Sequence, residues 1–312
     1  MIAVVCLNPA LDITYQVPAV DWSGVNRPSA VHTRPGGKGL NVARTLRILS
    51  ADVLVLGLVG GVTGAAVASA LAQTGVPATF TPIGGETRRT VTVVDGASGA
   101  VTAFNEPGPR AGPGEFTELA VRYEKAVGGC AAVVLSGSLP PGVPADSYAR
   151  LVETAAAAGV PAVLDAHGEA LRFGAAARPA IVKPNRAELA GLVGQPLAGR
   201  AAVSAAARAL RATGPGAVVA TLGADGLLAV TEDGSWVAAP PAAVAGNATG
   251  AGDAVAAGLA YGLAAGLPWD ERLRHAVALG TAVAAAPVAG EFRPADYQQL
   301  LAGVTVRREG AG

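Results

Sequence analysis

Short apolar segments alternate with longer alanine-rich segments along most of the sequence, and this alternation constrains the fold more than any other feature. The apolar segments have the length of strands and are 3–7, 53–58, 131–135, 162–164, 181–183 and 217–222. The alanine-rich segments have the length of helices and are 40–49, 65–74, 115–127, 146–158, 202–212, 254–265 and 271–286. Uninterrupted apolar strands separated by helices predict a mostly parallel sheet with helices on both faces. The predicted fold is a doubly wound α/β domain.

Two segments, 12–31 and 87–105, depart from this alternation. Apolar and polar residues alternate within them, as in TVTVVDGASGAVTAF, which is typical of a hairpin with one face in water. We expect both segments to form a small separate β-sheet that covers a cleft as a lid. The prediction is a single domain over 1–312, with lid segments at about 12–31 and 87–105.

Composition excludes several classes of protein. Of the 312 residues, 51% are hydrophobic and 15% are charged, so the chain can bury a large core and is not disordered. The 23 basic and 23 acidic side chains balance, which argues against a nucleic-acid partner. The most apolar stretch, 53–72, contains several glycines and predicts a strand, a turn and a helix rather than a membrane span. No signal-peptide pattern is present and the two cysteines lack metal spacing, so we expect a cytoplasmic location without membrane association.

Polar, glycine-containing segments follow four of the predicted strands. They read SGSLPPG after position 135, DAHGE after 164, KPNRAE after 182 and LGADG after 221. Ligands of open α/β sheets bind beyond the carboxyl ends of the strands, where such loops begin. The four loops therefore predict a cleft along one edge of the sheet. Asp165, which closes a predicted strand, is interpreted as a strand-end residue and is left outside the site.

The segment GNATGAGDAVAAGLAYGL, residues 246–263, carries the sharpest functional signal. Gly250, Ala251 and Gly252 directly precede a predicted helix, where unpaired backbone N–H groups and the positive helix end favour an anion. Asp253 would place a carboxylate at the same point. The alternative is that Asp253 only caps the helix, and the small residues beside it favour the functional interpretation.

A second glycine-rich segment, PGGKGLNVARTL, occupies residues 35–46. The chain has only three lysines among its 23 basic residues, and two of them, Lys38 and Lys183, fall in loops marked by glycine or proline. A lysine places a compact point charge in such a loop, whereas the charge of an arginine is spread over a planar guanidinium group. The segment does not satisfy GxxxxGK[ST], and GLVGGVTG, residues 57–64, does not satisfy GxGxxG, so a nicotinamide-dependent dehydrogenase is a poor match.

With these motifs in place, the chain resembles the ribokinase-like (PfkB) carbohydrate kinases. GGKGLNVARTL and NATGAGDAVAAGL resemble the two signatures of that family, and LNPALD, TRRTVTV, SGSLPPG, KPNRAEL and TLGADGLL extend the likeness in the expected order. The likeness is greatest to the branch containing 1-phosphofructokinase and tagatose-6-phosphate kinase. The resemblance implies a ribokinase-like fold and transfer of the γ-phosphoryl group of ATP to a sugar hydroxyl, with Mg²⁺.

The resemblance also implies roles for single residues. It makes Asp253 the general base that takes the proton of the acceptor hydroxyl, and it assigns the anion hole to the backbone of Gly250, Ala251 and Gly252. The implied sugar contacts are Asp12, Gly37, Lys38 and Asn41. The implied ATP contacts are Lys183, Asn185, Thr221, Gly223 and Gly226. Glu188 would organise Mg²⁺ through water.

Two arginines and a serine bear on whether the acceptor already carries a phosphate. Arg27 and Arg88 lie in the predicted lid segments and match positions where phosphosugar kinases of the family hold a cation. An arginine fork suits bidentate phosphate binding, whereas the alternative is an ordinary solvated arginine. Ser138 of SGSLPPG is a further candidate contact. The expected reaction is phosphorylation of a ketohexose phosphate, that is fructose 1-phosphate, tagatose 6-phosphate or fructose 6-phosphate, to a bisphosphate and ADP.

Several alternatives stay open at this stage. One is a kinase of the same family that acts on an unphosphorylated sugar or nucleoside, and another is a non-catalytic sugar- or nucleotide-binding regulator. Asn247 and Ala248 stand where the family signature usually begins Asp-Thr, close to a segment, AAAPVAG, that in relatives accompanies a monovalent cation such as K⁺. The expected partners are ATP and a small phosphorylated sugar, and exposed lid edges predict a homodimer through the lid.

Overall fold

The computed structural model describes residues 1–242, 249–286 and 291–309. Its strands are β1 (Ile2–Cys6), β2 (Ala10–Val17), β3 (Ala30–Gly36), β4 (Val53–Val59), β5 (Ala78–Pro82), β6 (Arg88–Asp95), β7 (Val101–Asn105), β8 (Ala132–Ser136), β9 (Ala162–Asp165), β10 (Ile181–Val182), β11 (Ala217–Thr221), β12 (Leu227–Thr231), β13 (Gly234–Ala239) and β14 (Thr305–Glu309). Its helices are α1 (Lys38–Ile48), α2 (Gly61–Gln73), α3 (Pro113–Val127), α4 (Ser147–Ala157), α5 (Gly168–Ala176), α6 (Arg186–Val193), α7 (Gly199–Ala212), α8 (Ala251–Ala264), α9 (Trp269–Ala285) and α10 (Pro294–Gly303).

The large sheet has the strand order β14-β13-β12-β11-β10-β9-β8-β1-β4-β5. Its pairs from β5 through to β11 are parallel, because each connection carries a helix or the lid across the sheet. The remaining pairs, from β11 to β14, are antiparallel. The predicted doubly wound, mostly parallel sheet is confirmed.

Alternate side chains of each central strand feed two separate cores. In β1, Ala3 and Val5 pack with helices α3, α4, α5 and α7 on one face, whereas Val4 and Cys6 pack with α1, α8, α9 and α10 on the other. All five residues of β1 are buried. Burial on both faces explains why this strand is apolar throughout and shows no alternation.

Three parts of the large sheet were missed by the sequence prediction, namely the edge strand β5, the hairpin of β12 and β13, and the strand β14. The strands β12 and β13 form a hairpin whose two-residue loop is Glu232 and Asp233, with Thr231 opposite Gly234. The backbone N–H of Asp233 donates to Thr231 Oγ1 at 3.2 Å, which closes the turn. The strand β14 then adds to β13 from the far end of the chain. A pairing over such a sequence separation leaves no local signal.

The helices α5, α6 and α10 were also missed. Their short lengths give little periodicity, since α6 buries only Leu189 fully and α10 only Tyr297. None of the described helices combines the length and the apolar character that crossing a membrane requires. The apolar stretch 53–72 is divided at Gly60 into β4 and α2, as predicted.

The small sheet has four strands in the order β3-β2-β6-β7. The strands β6 and β7 form the predicted hairpin, with Val91 opposite Phe104. The strand β2 starts at Ala10 and β3 continues to Gly36, so the first lid segment extends further at both ends than 12–31. This sheet stands over the carboxyl edge of the large sheet, because Thr90 and Asn105 line the same cleft as the loops that follow β8, β9 and β11.

Candidate active site

A cleft of about 1300 Å³ lies between the carboxyl edge of the large sheet and the lid. The four polar loops singled out in the sequence all contribute to it, through Ser138, His167, Lys183 and Gly223 among others. Its volume exceeds the upper end of ordinary ligand pockets, roughly 300–1,000 Å³. The cleft therefore has room for two substrates side by side.

The N-terminus of α8 forms the floor of the cleft. Gly250 adopts φ 84°, a left-handed conformation that suits glycine, and lines the cleft together with Ala251 and Gly252. As the N-cap residue, Gly250 has no side chain with which to cap the helix. Adding a Cβ at Gly252 would place it 3.7 Å from Lys183 Nζ, so this first turn lies beside an ammonium group. The backbone N–H groups of a helix start, the positive helix end and a lysine together favour an anion.

Asp253 lies in the first turn of α8 and is only 6% exposed. Its Oδ2 accepts a hydrogen bond of 2.8 Å from Asn41 Nδ2, which lies on α1. The capping alternative does not describe this carboxylate, because its partner is a side chain of another helix. Burial, followed by the charge of Asp165, raises the pKa of Asp253 to about 6. A carboxylate with a pKa near neutrality is suited to accept a proton from a hydroxyl.

Lys38 and Lys183 share one carboxylate. Each Nζ lies 3.2 Å from Asp165 Oδ1, and Asp165 is fully buried at the end of β9. Burial alone would raise the pKa of Asp165, but Lys183 and Lys38 hold it below its usual value. Burial would also lower the pKa of Lys38, and Asp165, Asp253 and Glu188 overcome that effect and raise it. Two charged ammonium groups are therefore held at the centre of the cleft.

Asp165 ends β9, as the sequence interpretation expected, and it is not among the described residues that line the cleft, but it holds both lysines that are. The signal was present, since an aspartate ending a buried strand needs a cationic partner. Spacing along the chain could not identify that partner, because Lys38 is 127 positions away. The parallel pairing of β9 with β10 brings Lys183 next to Asp165, and α1 adds Lys38.

Asn185 and Glu188 begin helix α6 as a reciprocal cap. Asn185 Oδ1 accepts from the backbone N–H of Glu188 at 2.8 Å, and Glu188 Oε2 accepts from the backbone N–H of Asn185 at 2.7 Å. Asn185 lines the cleft. Glu188 stands behind it, is 13% exposed, and places Oε1 3.7 Å from Lys38 Nζ.

The wall beyond Lys183 is mostly apolar. It begins at Thr221, whose backbone N–H bonds to the Pro184 carbonyl. Gly223 and Gly226 have φ 64° and 83°, and a Cβ at Gly226 would approach the Ala238 carbonyl oxygen to 2.1 Å. Apolar residues from β12, α8 and α9 complete the wall, namely Leu227, Val255, Val277 and Ala284. An apolar slot beside two ammonium groups suits a nucleotide base with its phosphates.

The opposite end of the cleft joins the lid. The structure places the following predicted acceptor contacts in the lining: Asp12, Gly37, Lys38, Asn41, Arg88 and Ser138. Arg88 donates from Nε to the Asn8 carbonyl at 3.2 Å and from Nη1 to the Glu106 carbonyl at 3.3 Å. Arg27 is exposed in the loop between β2 and β3 and is not among the described residues that line the cleft. Of the two arginines predicted to bind phosphate, the structure therefore places Arg88 in the cleft and Arg27 outside it.

Asn8 is a cleft residue that the sequence analysis quoted only within a motif. It is 5% exposed, and its Nδ2 donates to the Pro107 carbonyl at 3.0 Å and to Ser138 Oγ at 3.1 Å. Asn8 thus ties the start of the first lid segment to the end of the second and to the loop after β8. Asn247, Ala248 and most of the AAAPVAG segment lie outside the described residues.

The geometry defines an α/β phosphotransferase, with a basic carboxylate at an open helix N-terminus, two central lysines and a lid. A family model described as pfkB family carbohydrate kinase matches residues 5–295, and the chain belongs to this family. It is 40% identical over 278 residues to a 1-phosphofructokinase of Rhodobacter capsulatus, covering 89% of this chain and 88% of the relative. The prediction of an ATP-dependent sugar-phosphate kinase is confirmed.

Solved structures agree with this assignment. Phosphofructokinase-2 from Escherichia coli in complex with substrates and products matches with a TM-score of 0.89 and 31% identity, over 97% of this chain and 98% of that one. The same enzyme in complex with potassium matches with a TM-score of 0.91 and 30% identity, over 97% and 98% of the two chains. The ribokinase-like fold expected from the motifs is confirmed.

Proposed function

We propose that the protein transfers the γ-phosphoryl group of ATP to the free primary hydroxyl of fructose 1-phosphate, giving fructose 1,6-bisphosphate and ADP. The observation that carries this proposal is the pairing of Asp253 with the uncapped first turn of α8, at the meeting point of an apolar slot and a lid. The choice of fructose 1-phosphate among the three ketohexose phosphates follows the relative, which is named a 1-phosphofructokinase.

The chain's own residues account for the chemistry of transfer. Asp253 takes the proton of the acceptor hydroxyl as the new O–P bond forms and the bond from the γ-phosphorus to the ADP oxygen breaks. The N–H groups of Gly250, Ala251 and Gly252 receive the charge of the transferred group. Lys183 adds a fixed positive charge beside them. Positioning and charge stabilisation of this kind supply most of the catalysis in phosphoryl transfer.

Arg88 and Ser138 are the proposed contacts to the phosphate that the acceptor already carries. Both line the lid end of the cleft, and Ser138 is held by Asn8 Nδ2. We do not include Arg27 among the phosphate contacts within one chain, because it does not line this cleft. On the nucleotide side we propose Lys183, Asn185, Thr221, Gly223 and Gly226.

The donor set of the cleft fits Mg²⁺ that is held mainly by ATP. Among the described residues, no group of three or more His, Cys, Asp or Glu side chains could hold a metal ion. Mg²⁺ commonly binds one or two carboxylates together with substrate phosphates and water, and we propose Glu188, which stands behind Asn185, as a carboxylate that would act on the ion through water. The ion would neutralise the phosphate charge of bound ATP. A monovalent cation such as K⁺ is part of the proposal by likeness to the potassium complex, and its expected segment lies outside the described residues.

The outer face of the lid supports a homodimer. Strand register and alternation place the apolar residues Ile13, Tyr15, Val31, Val91, Val93 and Phe104 on the face opposite Asp12 and Asn105. Val31 and Phe104 are 55% and 53% exposed. Phe104→Lys should convert a dimer to monomers in light scattering, whereas Val101→Lys, on the other face of β7, should not. A wild-type monomer would remove this part of the proposal. We also propose a cytoplasmic location, where ATP is available.

The test of the activity is ADP release with Mg-ATP across fructose 1-phosphate, tagatose 6-phosphate, fructose 6-phosphate, fructose, ribose and adenosine. The proposal expects fructose 1-phosphate to give the highest kcat/KM. Turnover only on an unphosphorylated acceptor would overturn the proposed substrate class. Ligand binding without turnover would favour the alternative of a non-catalytic sugar- or nucleotide-binding regulator.

Arg88→Ala sharpens the same test. Its KM for the sugar phosphate should rise by roughly tenfold or more, since a hydrogen bond to a charged group is worth about 1.5–3 kcal/mol. Arg89→Ala is the matched control, because Arg89 is the next residue of β6, is more than half exposed and pairs with Glu106. An equal rise in both variants would mean that the lid, not the phosphate contact, was damaged.

A further inference from the structure

Arg44 lies on α1, one turn after Asn41, and has no role in the site so far. Its guanidinium makes two hydrogen bonds: Nη2 donates to Asn41 Oδ1 at 2.7 Å, and Nη1 donates to the Pro35 carbonyl at 3.2 Å. Its Nε is buried and has no hydrogen-bond partner among the residues that the structure describes. An arginine half-buried beside an active-site carboxylate, with contacts this specific, calls for a functional explanation.

The chemistry of the two groups decides how the Asn41 side chain is oriented. Arginine can only donate hydrogen bonds, so the amide oxygen of Asn41 must face Arg44. The amide nitrogen of Asn41 then faces Asp253, to which it donates at 2.8 Å. The reversed amide would set two donors against each other and the amide oxygen against a carboxylate. Arg44 therefore determines which group of Asn41 meets Asp253.

Groups of both charges surround Arg44 and Asp253, and they shift the pKa values of these two residues in opposing directions. Burial, followed by the charge of Arg34, lowers the pKa of Arg44 to about 10, while Asp12, Glu291 and Asp253 act in the opposite direction. Around Asp253, the charge of Asp165 favours the protonated form, whereas Lys38, the Asn41 hydrogen bond and Lys183 favour the ionised form. The hydrogen bond from Asn41 is the one short-range contact among these influences, and it depends on Arg44.

The second contact of Arg44 leads to the lid. Pro35 is in β3, the strand by which the chain returns from the lid to α1, and its carbonyl accepts from Nη1. The neighbouring Gly36 has no room for a Cβ, which would lie 2.0 Å from Asp12 Cγ. The contacts of Arg44 with Pro35, and of Gly36 with Asp12, thus lie where the lid sheet joins α1.

We propose that Arg44 is a positioning residue for phosphoryl transfer: it fixes the Asn41 amide so that Asp253 is held ionised and oriented towards the acceptor, and it links that arrangement to the return strand of the lid. This inference rests on the proposed function and extends it. It also assigns Asn41 a role towards the base, beside the sugar contact expected from the motif.

The experiment compares Arg44→Met and Arg44→Lys with Arg47→Met. Arg47 is on the same helix, is exposed, and serves as the matched control for loss of an arginine. In Arg44→Met, kcat should fall by roughly 10- to 100-fold with KM values nearly unchanged, since misplacing a catalytic group can cost about 10²-fold. The acid limb of the kcat profile should move to higher pH. Arg44→Lys keeps a donor and should recover part of the loss.

A second readout does not need turnover. The Asp253 carboxyl can be titrated by ¹³C NMR in the protein without substrates, with its signal assigned by Asp253→Asn. In Arg44→Met the pKa of Asp253 should rise by roughly one pH unit, the size expected for loss of a hydrogen bond to the ionised form. The pKa in Arg47→Met should equal that of the wild type.

The outcomes separate the two proposals. A wild type without turnover on any acceptor would overturn the proposed function, while the NMR titration would still decide whether Arg44 controls Asp253. An unchanged pKa and unchanged kcat in Arg44→Met would overturn the inference. A loss of kcat that persists in full when Arg44→Met is added to Asn41→Ala would also overturn it, because Arg44 would then act by a route other than Asn41.

Discussion

Two helices begin at the same cleft, and they differ in what satisfies the N–H groups of their first turns. Helix α6 is closed by its own side chains, since Asn185 and Glu188 cap each other's backbone N–H groups. Helix α8 begins at Gly250, which has no side chain to act as a cap, and the acidic residue in its first turn accepts a hydrogen bond from Asn41 instead. The N–H groups of such a helix start can be satisfied by water or by a ligand in the cleft. The difference supports our proposal that the anion of the reaction binds at α8, whereas α6 forms a preformed wall.

The largest effect is expected for Asp253→Asn, which leaves the glycine turn of α8 intact and removes the proposed base. We expect kcat to fall by about 10²–10⁴-fold, the usual contribution of general-base catalysis. ATP binding by calorimetry should be retained. An activity within a few-fold of the wild type would refute the assignment of the base.

The same variant should change stability in a pH-dependent way. The pKa of Asp253 is raised from 3.8 to about 6, so the folded protein binds this proton more tightly than the unfolded chain. Ionisation therefore opposes folding increasingly as pH rises from about 4 to 6, and by roughly 2–3 kcal/mol above that. Asp253→Asn should raise the free energy of unfolding at pH 8 and not at pH 4. Denaturant unfolding at both pH values measures this, and an equal effect at both would contradict the burial argument.

The second variant, Gly252→Asp, fills the open end of α8 with a carboxylate. A negative side chain at a helix N-terminus stabilises the helix by about 0.3–1 kcal/mol. It would also repel the transferred phosphoryl group, so kcat/KM for ATP should fall by roughly 10²–10³-fold, as when an oxyanion-hole donor is lost. Gly252→Ala is the control for size, because a Cβ there has ordinary contacts. Equal losses in both variants would attribute the effect to bulk.

The third variant, Asn185→Ala, opens the closed start of α6. Loss of an N-cap side chain should lower the free energy of unfolding by about 1 kcal/mol. Because Asn185 also lines the cleft, the KM for ATP should rise while kcat changes little. A fall in kcat comparable to that of Gly252→Asp would show that the two helix starts play equal parts in transfer.

The smallest effect is expected at a third helix start, outside the cleft. The exposed carboxylate of Glu86 accepts hydrogen bonds from the backbone of Val62 and Thr63 and so caps α2. These hydrogen bonds, the ones to Thr63 first, lower the pKa of Glu86. Glu86→Gln should lower Tm slightly and leave kcat and both KM values within twofold of the wild type. A kinetic effect would mean that α2 transmits lid movement to the site.

Much of the fold was predictable because its signals are local. The buried strands and amphipathic helices of the parallel core follow from periodicity, and the lid hairpin follows from alternation with a glycine turn. The antiparallel extension β12–β14 and the short helices escaped, since their pairing partners are distant or their buried faces are small. The open start of α8 was predictable from Gly250 and Asp253, because glycine conformation and helix polarity belong to a few adjacent residues.

The contacts that control the site could not be predicted in this way. Asp165 joins two lysines from different elements, and Asn8 ties two lid segments. Arg44 donates to Asn41, which in turn donates to Asp253. Arg27 is the opposite case, because the sequence predicted a contact in the cleft and the structure places this residue outside it. Each case depends on which loops meet at the sheet edge.

The fold class, the family and the glycine turn before α8 follow from the amino-acid sequence alone, because helix polarity, periodicity and motif order are properties of neighbouring residues. The sequence also singled out Asp253 as the candidate base. The charges that face one another in the cleft, and therefore the raised pKa of Asp253, follow only from the packed chain. Burial and charge proximity are properties of the packed chain, since they arise when residues more than a hundred positions apart, such as Asn41 and Asp253, exclude water together.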